Sequence, residues 1–302
     1  MFNTISTANE RFLADLSNLE GRLLTAQRQV SSGLRMQSVA DDPDQVSALL
    51  EVKAQIAHNS QLKYNLGRVQ TEVNAAESAI NTAATLMDRV RQIAAQGASS
   101  TTTVDTRTQL AGQVKDIITE MFGLTQTQVE GRYVFSGDSD QTAPYLNVDL
   151  TQSNGIGAYQ GSSATRQVEH PNGSIFSISY TAVQVFDSGG SSTSVFQSLT
   201  ALYNDLQSSN IAGLATDADN IGTAASFLDG QQARYGEIQN QVSDAISAQQ
   251  KLDTQLQTQL SNTQDADSVS AIMELQKESV AQQAALQAHA ALPRTSLFSF
   301  IG

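Results

Sequence analysis

Ten apolar positions between residues 62 and 94 keep a 4-3 rhythm without a miss: Leu62, Leu66, Val69, Val73, Ala76, Ile80, Ala83, Met87, Val90 and Ala94. A repeat of 3.5 residues lines one narrow seam of a helix that winds around a partner. A helix with one such seam cannot bury it alone, so the chain must supply further helices with matching seams. Carrying the rhythm on from Val52 and Ile56 lands on Asn59 and Lys63, which predicts that the seam shifts there.

Other segments answer that requirement. Phe12, Leu16, Leu19, Leu23, Ala26 and Val30 are spaced 4, 3, 4, 3, 4 and end at Ser31-Ser32-Gly33, with Gly33 where a helix C-cap favours a left-handed residue. Asp42-Pro43-Asp44-Gln45 reads as the next helix start, with Asp42 as N-cap, Pro43 at the first helical position and Gln45 closing a capping box. Leu110, Val114, Ile117, Met121 and Leu124 form a third seam after the loop of Gly97 and the Ser/Thr run 99–103. Near the other end, Tyr235, Ile238, Val242, Ala245, Leu252 and Leu256 form a seam interrupted by Gln249. Val269, Met273, Val280 and Ala284 mark a last helix, with Asp265-Ala266-Asp267-Ser268 able to cap its start. Short loops between such helices favour an antiparallel bundle.

The character changes between about 131 and 194. Pro144, Pro171 and many Gly and Ser residues accompany partial β-type alternation in Ser174-Ile175-Phe176-Ser177-Ile178-Ser179-Tyr180. His170-Pro171-Asn172-Gly173 is a turn signal, which makes Arg166-Gln167-Val168-Glu169 the partner strand of a hairpin. Tyr159, Val183, Val185 and Phe186 are expected in further short strands. An insert of this size is marginal as an independent fold. The fold class that follows is mainly α with a small β insert: a long antiparallel helical bundle or coiled coil built from both N- and C-terminal segments, plus a β-rich outer domain.

Chemistry is hard to find. The chain has no Cys, so thiolate ligands, disulfides and Cys nucleophiles are excluded. His58, His170 and His289 are isolated from one another and read as surface imidazoles. Asp41-Asp42 is better explained by helix capping than by acid–base work, and Gly189-Gly190 lacks the Lys-Ser or Lys-Thr of a phosphate loop. A net charge of −13 repels nucleic acid. No apolar run is long enough to span a bilayer, and the first residues lack the basic and apolar regions of a cleaved secretory signal. An enzyme is not expected, and no cofactor or metal is called for.

Residues 29–42, Gln29-Val30-Ser31-Ser32-Gly33-Leu34-Arg35-Met36-Gln37-Ser38-Val39-Ala40-Asp41-Asp42, resemble the bacterial flagellin family. Its N-terminal helix typically ends in Leu-Ser-Ser-Gly-Leu-Arg, followed by Ala-x-Asp-Asp; here Ala40 and Asp41 are adjacent. The likeness continues through Asn65, Ala75-Ala76-Glu77-Ser78-Ala79-Ile80 and Met87-Asp88-Arg89-Val90-Arg91-Gln92-Ile93-Ala94. It covers about the first 130 residues and, more weakly, the last 75. Glu130-Gly131-Arg132-Tyr133-Val134-Phe135-Ser136-Gly137, Thr142-Ala143-Pro144-Tyr145 and Tyr159-Gln160-Gly161 are similar to the hook–filament junction branch of that family, as is the ending Ser296-Leu297-Phe298-Ser299-Phe300-Ile301. The pattern is left at Tyr180 to Val185.

The resemblance implies a structural part of the bacterial flagellum, outside the cell, exported through the flagellar channel without a cleaved signal peptide. It implies as partners hook-associated protein 1, flagellin, copies of the chain itself in a ring, and an export chaperone, with no nucleic acid and no membrane. The expected organisation is a terminal coiled-coil assembly region (1–42 and 265–302), a helical bundle domain (43–140 and 195–264) and a β-rich outer domain (141–194). The residues expected to serve assembly, on helix seams and at the joint, are Phe12, Leu16, Leu19, Leu23, Val30, Gly33, Leu34, Arg35, Asp41, Asp42, Val269, Met273, Val280, Leu297 and Phe298. Flagellin itself remains an alternative within the family, and a cytoplasmic helical adaptor one outside it.

Overall fold

The computed structural model describes residues 2–38, 42–187 and 193–290. The seams counted in the sequence lie on α1 (Phe2–Ser32), α2 (Val46–Ala98), α3 (Val104–Thr125), α6 (Ile211–Gln264) and α7 (Ser268–Ala290). Two helices join them, α4 (Ala182–Phe186) and α5 (Val195–Ser208). The described strands form two small antiparallel pairs, β1 (Gln128–Val129) with β2 (Arg132–Tyr133) and β3 (Gln167–Glu169) with β4 (Ile175–Ser177). The chain divides into two compact units, one of residues 61–251 and one of residues 1–60 with 252–302.

In the 61–251 unit one hydrophobic core runs from Val69 on α2 to Val242 on α6. All ten α2 positions of the opening count point inward except Leu62, which is half-buried. α3 packs on α5 through Leu110, Val114, Ile117 and Met121 on one side and Phe196, Leu199 and Leu202 on the other. Polar side chains stitch α2 to α6 at the surface: Gln239 Nε2 donates to Glu77 at 2.7 Å and to Asn74 at 3.0 Å, and Arg91 donates to the Gly222 carbonyl at 3.2 Å. The segment between α3 and α5 sends Phe135, Tyr145, Ile156 and Phe186 into this same core, where Phe186 and Phe135 meet edge to face.

The hairpin of β3 and β4 is the one the turn signal predicted, with Val168 opposite Phe176. A second, tighter hairpin turns at Glu130 (φ +52°) and Gly131 (φ +76°), the left-handed pair that a two-residue turn between twisted strands requires. The strands expected at Val183, Val185 and Phe186 are absent, since these residues form α4. Thr181 and Gln184 close a capping box there, with bonds of 3.3 and 3.0 Å, and Ala182, Val185 and Phe186 bury one helical face. That pair of hydrogen bonds outweighs the β preference of two valines. Tyr159 is also outside any strand; its hydroxyl lies 3.1 Å from the Phe135 carbonyl oxygen.

Two further expectations are corrected. α2 begins at Val46 and not at Pro43: residues 43–45 form a turn closed by the Gln45 N–H to the Asp42 carbonyl at 3.2 Å. Asp42 therefore stands a full turn ahead of the helix, and the Gln45 side chain accepts from Arg35 at 3.1 Å instead of closing a capping box. On α6 the buried sequence runs Ala245, Gln249, half-buried Asp253, Leu256, so Leu252 is exposed. The extra residue in that step rotates Leu252 off the seam. α2 slips at the same level, as the break in its rhythm predicted: Asn59 is buried, and its amide reaches Asp253 at 3.4 Å.

Candidate assembly surface

The 1–60 and 252–302 unit is built around a corner where two helix breaks bond to each other. α1 ends because Gly33, at φ +72°, turns left-handed and returns its N–H to the Gln29 carbonyl at 2.9 Å. Leu34 pairs as an antiparallel bridge with Asp265, in the break between α6 and α7. Around it the Arg35 N–H donates to the Gln264 carbonyl at 2.7 Å, and the Ala266 N–H donates to the Gly33 carbonyl at 2.9 Å. The Arg35 guanidinium adds a bond to the Thr263 carbonyl at 2.9 Å, where a cation suits the C-terminal end of α6. Met36 seals the corner at 2 % exposure. The sequence places a joint at residues 31–42, with Gly33, Leu34 and Arg35 named in it and Met36 inside it; residues 264–266, which complete it, are not part of that reading.

From this corner α1 and α7 run packed on one another. The α1 face toward α7 is the one the sequence named: Leu19 and Ala26 are buried, and Phe12, Leu16 and Leu23 are half-buried. Val30, where α1 approaches the corner, is exposed. The α7 face is a different matter. Its covered positions are Ala271, Leu275, Glu278, Gln282 and Ala285, again spaced 4, 3, 4, 3, and Phe12 stacks on His289 with ring centroids 4.0 Å apart.

Val269, Met273 and Val280, expected on this helix's seam, lie about 180° around it and are 66 %, 58 % and 65 % exposed. α7 therefore carries two 4-3 stripes on opposite faces. The stripe of Ala271, Leu275, Glu278, Gln282 and Ala285 meets α1, and the apolar stripe faces outward; Ile272 and Leu286, on the flanks between the two, are exposed as well. On α1, Leu13 and Leu24 are likewise exposed, and they share a face because they are three turns apart.

Charge sits within the covered seam. Glu278 is 1 % exposed, with Arg22 at 3.5 Å and Lys277 at 4.0 Å. Beside it Lys277 bonds Glu274 at 3.2 Å and holds that carboxyl below its usual range, with Glu278 adding to the effect. At the start of α7, Asp267 accepts from the Val269 N–H at 3.0 Å and from the Ser270 hydroxyl at 2.7 Å, and these bonds, the Ser270 bond foremost, depress its pKa. This is the N-cap the sequence allowed for. Two grooves flank the helix pair: one of about 320 Å³ lined by Phe12, Leu16 and Ala285 among others, and one of about 540 Å³ lined by Leu23, Leu275 and Val280. Asp41, Leu297 and Phe298 lie outside the described residues. Among the described residues no group of three His, Asp or Glu side chains is placed to hold a metal, and no helix is long and apolar enough to cross a membrane.

Residues 3–140 match the bacterial flagellin N-terminal helical region and residues 218–301 its C-terminal helical region, together more than half of the chain. The chain belongs to the bacterial flagellin family. Within that family it is similar to the flagellar hook-associated protein 3 of Salmonella typhimurium, 28 % identical over 306 residues that cover 92 % of each chain. The protein of the same description from Escherichia coli is 26 % identical over 80 % of this chain and 75 % of that one. A solved structure of a putative flagellar hook-associated protein from Vibrio parahaemolyticus shares the fold, with a TM-score of 0.65 at 20 % identity, covering 74 % of this chain and all of that one. Membership of the flagellin family makes the role of this chain a structural one within the flagellum, and the family is not enzymatic.

Proposed function

We propose that the chain is a hook–filament junction protein, which connects hook-associated protein 1 to the flagellin filament by helix–helix packing. The observation that carries this reading is the second, outward stripe of α7. Val269, Met273 and Val280 repeat at coiled-coil spacing and are more than half exposed among the described residues. An exposed apolar stripe of this kind on a helix that already has one partner is suited to a second helix. In the proposed assembly that second helix comes from a neighbouring chain, either a copy in the same ring or a member of the flanking rings. Residues 1–42 and 265–302 form the assembly region, 43–140 with 195–264 the helical bundle domain, and 141–194 the outer domain. Phe12, Leu16, Leu19 and Leu23 hold α7 in place, while Gly33, Leu34, Arg35 and Asp42 fix the corner from which both helices depart. Val30, Asp41, Leu297 and Phe298 complete the proposed assembly set. The chain reaches this place through the flagellar export channel without a cleaved signal peptide, held beforehand by an export chaperone.

Immunogold labelling of the chain tests this: label is expected at the boundary of hook and filament. A strain lacking the chain should release flagellin into the medium, and purified chain should not grow into long filaments by itself. Label along the whole filament, together with self-assembly into filaments, would identify the chain as flagellin instead.

A further inference from the structure

The turn between α5 and α6 carries a pair of carboxyl groups whose arrangement needs one proton. The chain reverses there through Ser209, left-handed at φ +54°, and Asn210. Asp205 holds the turn twice: its carbonyl accepts from the Asn210 N–H at 3.0 Å, and its Oδ1 accepts from Asn210 Nδ2 at 3.2 Å. Asn210 in turn caps α6 by accepting from the Gly213 N–H at 3.3 Å. The other Asp205 oxygen, Oδ2, lies over Gly213, in the space a Cβ at that position would fill.

One turn further along α6 is Asp217, 4 % exposed and set between Leu214 and Ile221, both fully buried. Four residues beyond Gly213, it stands on the helix face that Asp205 Oδ2 covers, and no N–H or O–H donor reaches its own Oδ2. Two ionised carboxylates accept but cannot donate, so a hydrogen bond between them requires that one be protonated. A buried carboxylate with no donor is also among the costliest groups to leave charged.

We propose that Asp205 and Asp217 share one proton, forming an acid–carboxylate clasp that joins the last turn of α5 to the first two turns of α6 and opens when base removes the proton. The pattern is that of two neighbouring like charges, of which the buried one, Asp217, is the costlier to ionise. Burial, and then the neighbouring charge of Asp205, push Asp217 up to about 7. The cations of the packed helices are engaged elsewhere. Arg107 on α3 gives its donors to the Gly97 and Ser99 carbonyls, both at 3.0 Å, and Arg91 on α2 is taken by Asp88 and the Gly222 carbonyl. Arg89 on α2 and Lys115 and Asp105 on α3 are exposed, and the remaining titratable groups near the turn, Tyr203 on α5 and Asp219 on α6, supply no positive charge.

The clasp predicts a definite pH dependence. Between the ordinary aspartate value of 3.8 and about 7 the folded chain holds a proton that the unfolded chain has released. Its contribution to stability is therefore complete below 3.8, falls as pH rises toward about 7, and is absent above that. The experiment is thermal unfolding of the full chain from pH 5 to pH 8, followed by near-ultraviolet circular dichroism of the buried tyrosines, for wild type, Asp217→Asn and Asp205→Asn. Wild type should lose about 5–10 °C in Tm across this range. Asp217→Asn should be flatter and should melt above wild type at pH 8. In wild type alone, the carbon-13 signal of one aspartate carboxyl should titrate near neutral pH, a readout that survives if either variant fails to fold. Parallel melting profiles for wild type and Asp217→Asn, or no aspartate titrating above pH 5.5, would overturn the proposal. So would a rise in wild-type Tm at pH 8 on adding calcium that Asp217→Asn lacks, since a cation would then occupy the place of the proton.

Discussion

The two units of the molecule differ in what they bury. Residues 61–251 bury their largest rings: Tyr145, Tyr235, Phe135, Phe186 and Phe196 are all essentially fully buried, although Tyr64, Val104, Leu146, Ile175 and Ile211 are exposed. Among its described residues the 1–60 and 252–302 unit has no buried aromatic ring of that kind; its buried apolar side chains are Leu19, Ala26, Met36, Leu49, Val52, Leu256 and Ala271. It leaves Leu13, Leu24, Val269, Ile272, Met273, Val280 and Leu286 exposed. The first unit has a single hydrophobic core. The second leaves apolar side chains uncovered, which the proposed assembly would bury.

Truncating a ring in the first unit gives the largest expected effect. Phe196 packs on Tyr145 and Phe186, with centroids at 6.1 and 6.3 Å, so Phe196→Ala should cost about 3–5 kcal/mol in urea unfolding followed by near-ultraviolet circular dichroism. If the comparison is right, the same truncation in the second unit behaves differently. Leu19→Ala should cost about 2 kcal/mol, the low end for a leucine, because a two-helix seam relaxes more readily than a core. It should speed proteolysis within α1 and α7 and leave the tyrosine signal of the 61–251 unit unchanged. Loss of that signal would mean that the two units melt together.

Val280→Asp separates stability from assembly. Val280 is 65 % exposed, so the monomer should keep its stability within about 0.5 kcal/mol. Incorporation into the flagellum should nevertheless be lost, read as non-motile cells with flagellin in the medium. Normal motility in this variant would remove the outward stripe from the proposed interface.

How far the sequence exposes this arrangement depends on where the chain puts its large residues. α1 was legible because Leu16, Leu19 and Leu23 line the face that is covered, and the hairpin at 167–177 because His170-Pro171-Asn172-Gly173 leaves the backbone little choice. α7 was misleading: the rule that apolar spacing marks the buried seam selects Val269, Met273 and Val280, yet the covered face is Ala271, Leu275, Glu278 and Gln282. In the proposed assembly α7 has a second neighbour, and the apolar periodicity marks the face kept for it. The break between α5 and α6 was not delimited, because a left-handed serine held by Asp205 and Asn210 leaves no glycine or proline to mark it. The place of Arg35 in the corner could be named from the family motif, but its partners at 263 and 264 are more than two hundred residues away and no local pattern points to them.

The smallest expected effect is at the foot of α7. Asp267 is solvent-facing and caps the helix through Val269 and Ser270, and its pKa is depressed because those bonds favour the ionised form. A depressed carboxylate contributes fully above its unfolded value and loses that contribution as pH falls through the folded one. Acid should therefore fray the first turn of α7 before it reaches the corner, where the bridging bonds of residues 33–36 are made by backbone groups that do not titrate. Amide hydrogen exchange at Val269, Ser270 and Ala271 should rise in Asp267→Ala at neutral pH, and in wild type only below about pH 4. Asp267→Asn, which keeps an acceptor oxygen, should retain protection at neutral pH and lose the acid dependence. If Asp267→Ala instead loosens Leu34 and Arg35 as well, the cap and the corner form one cooperative element, and the division between helix start and joint drawn here is too fine.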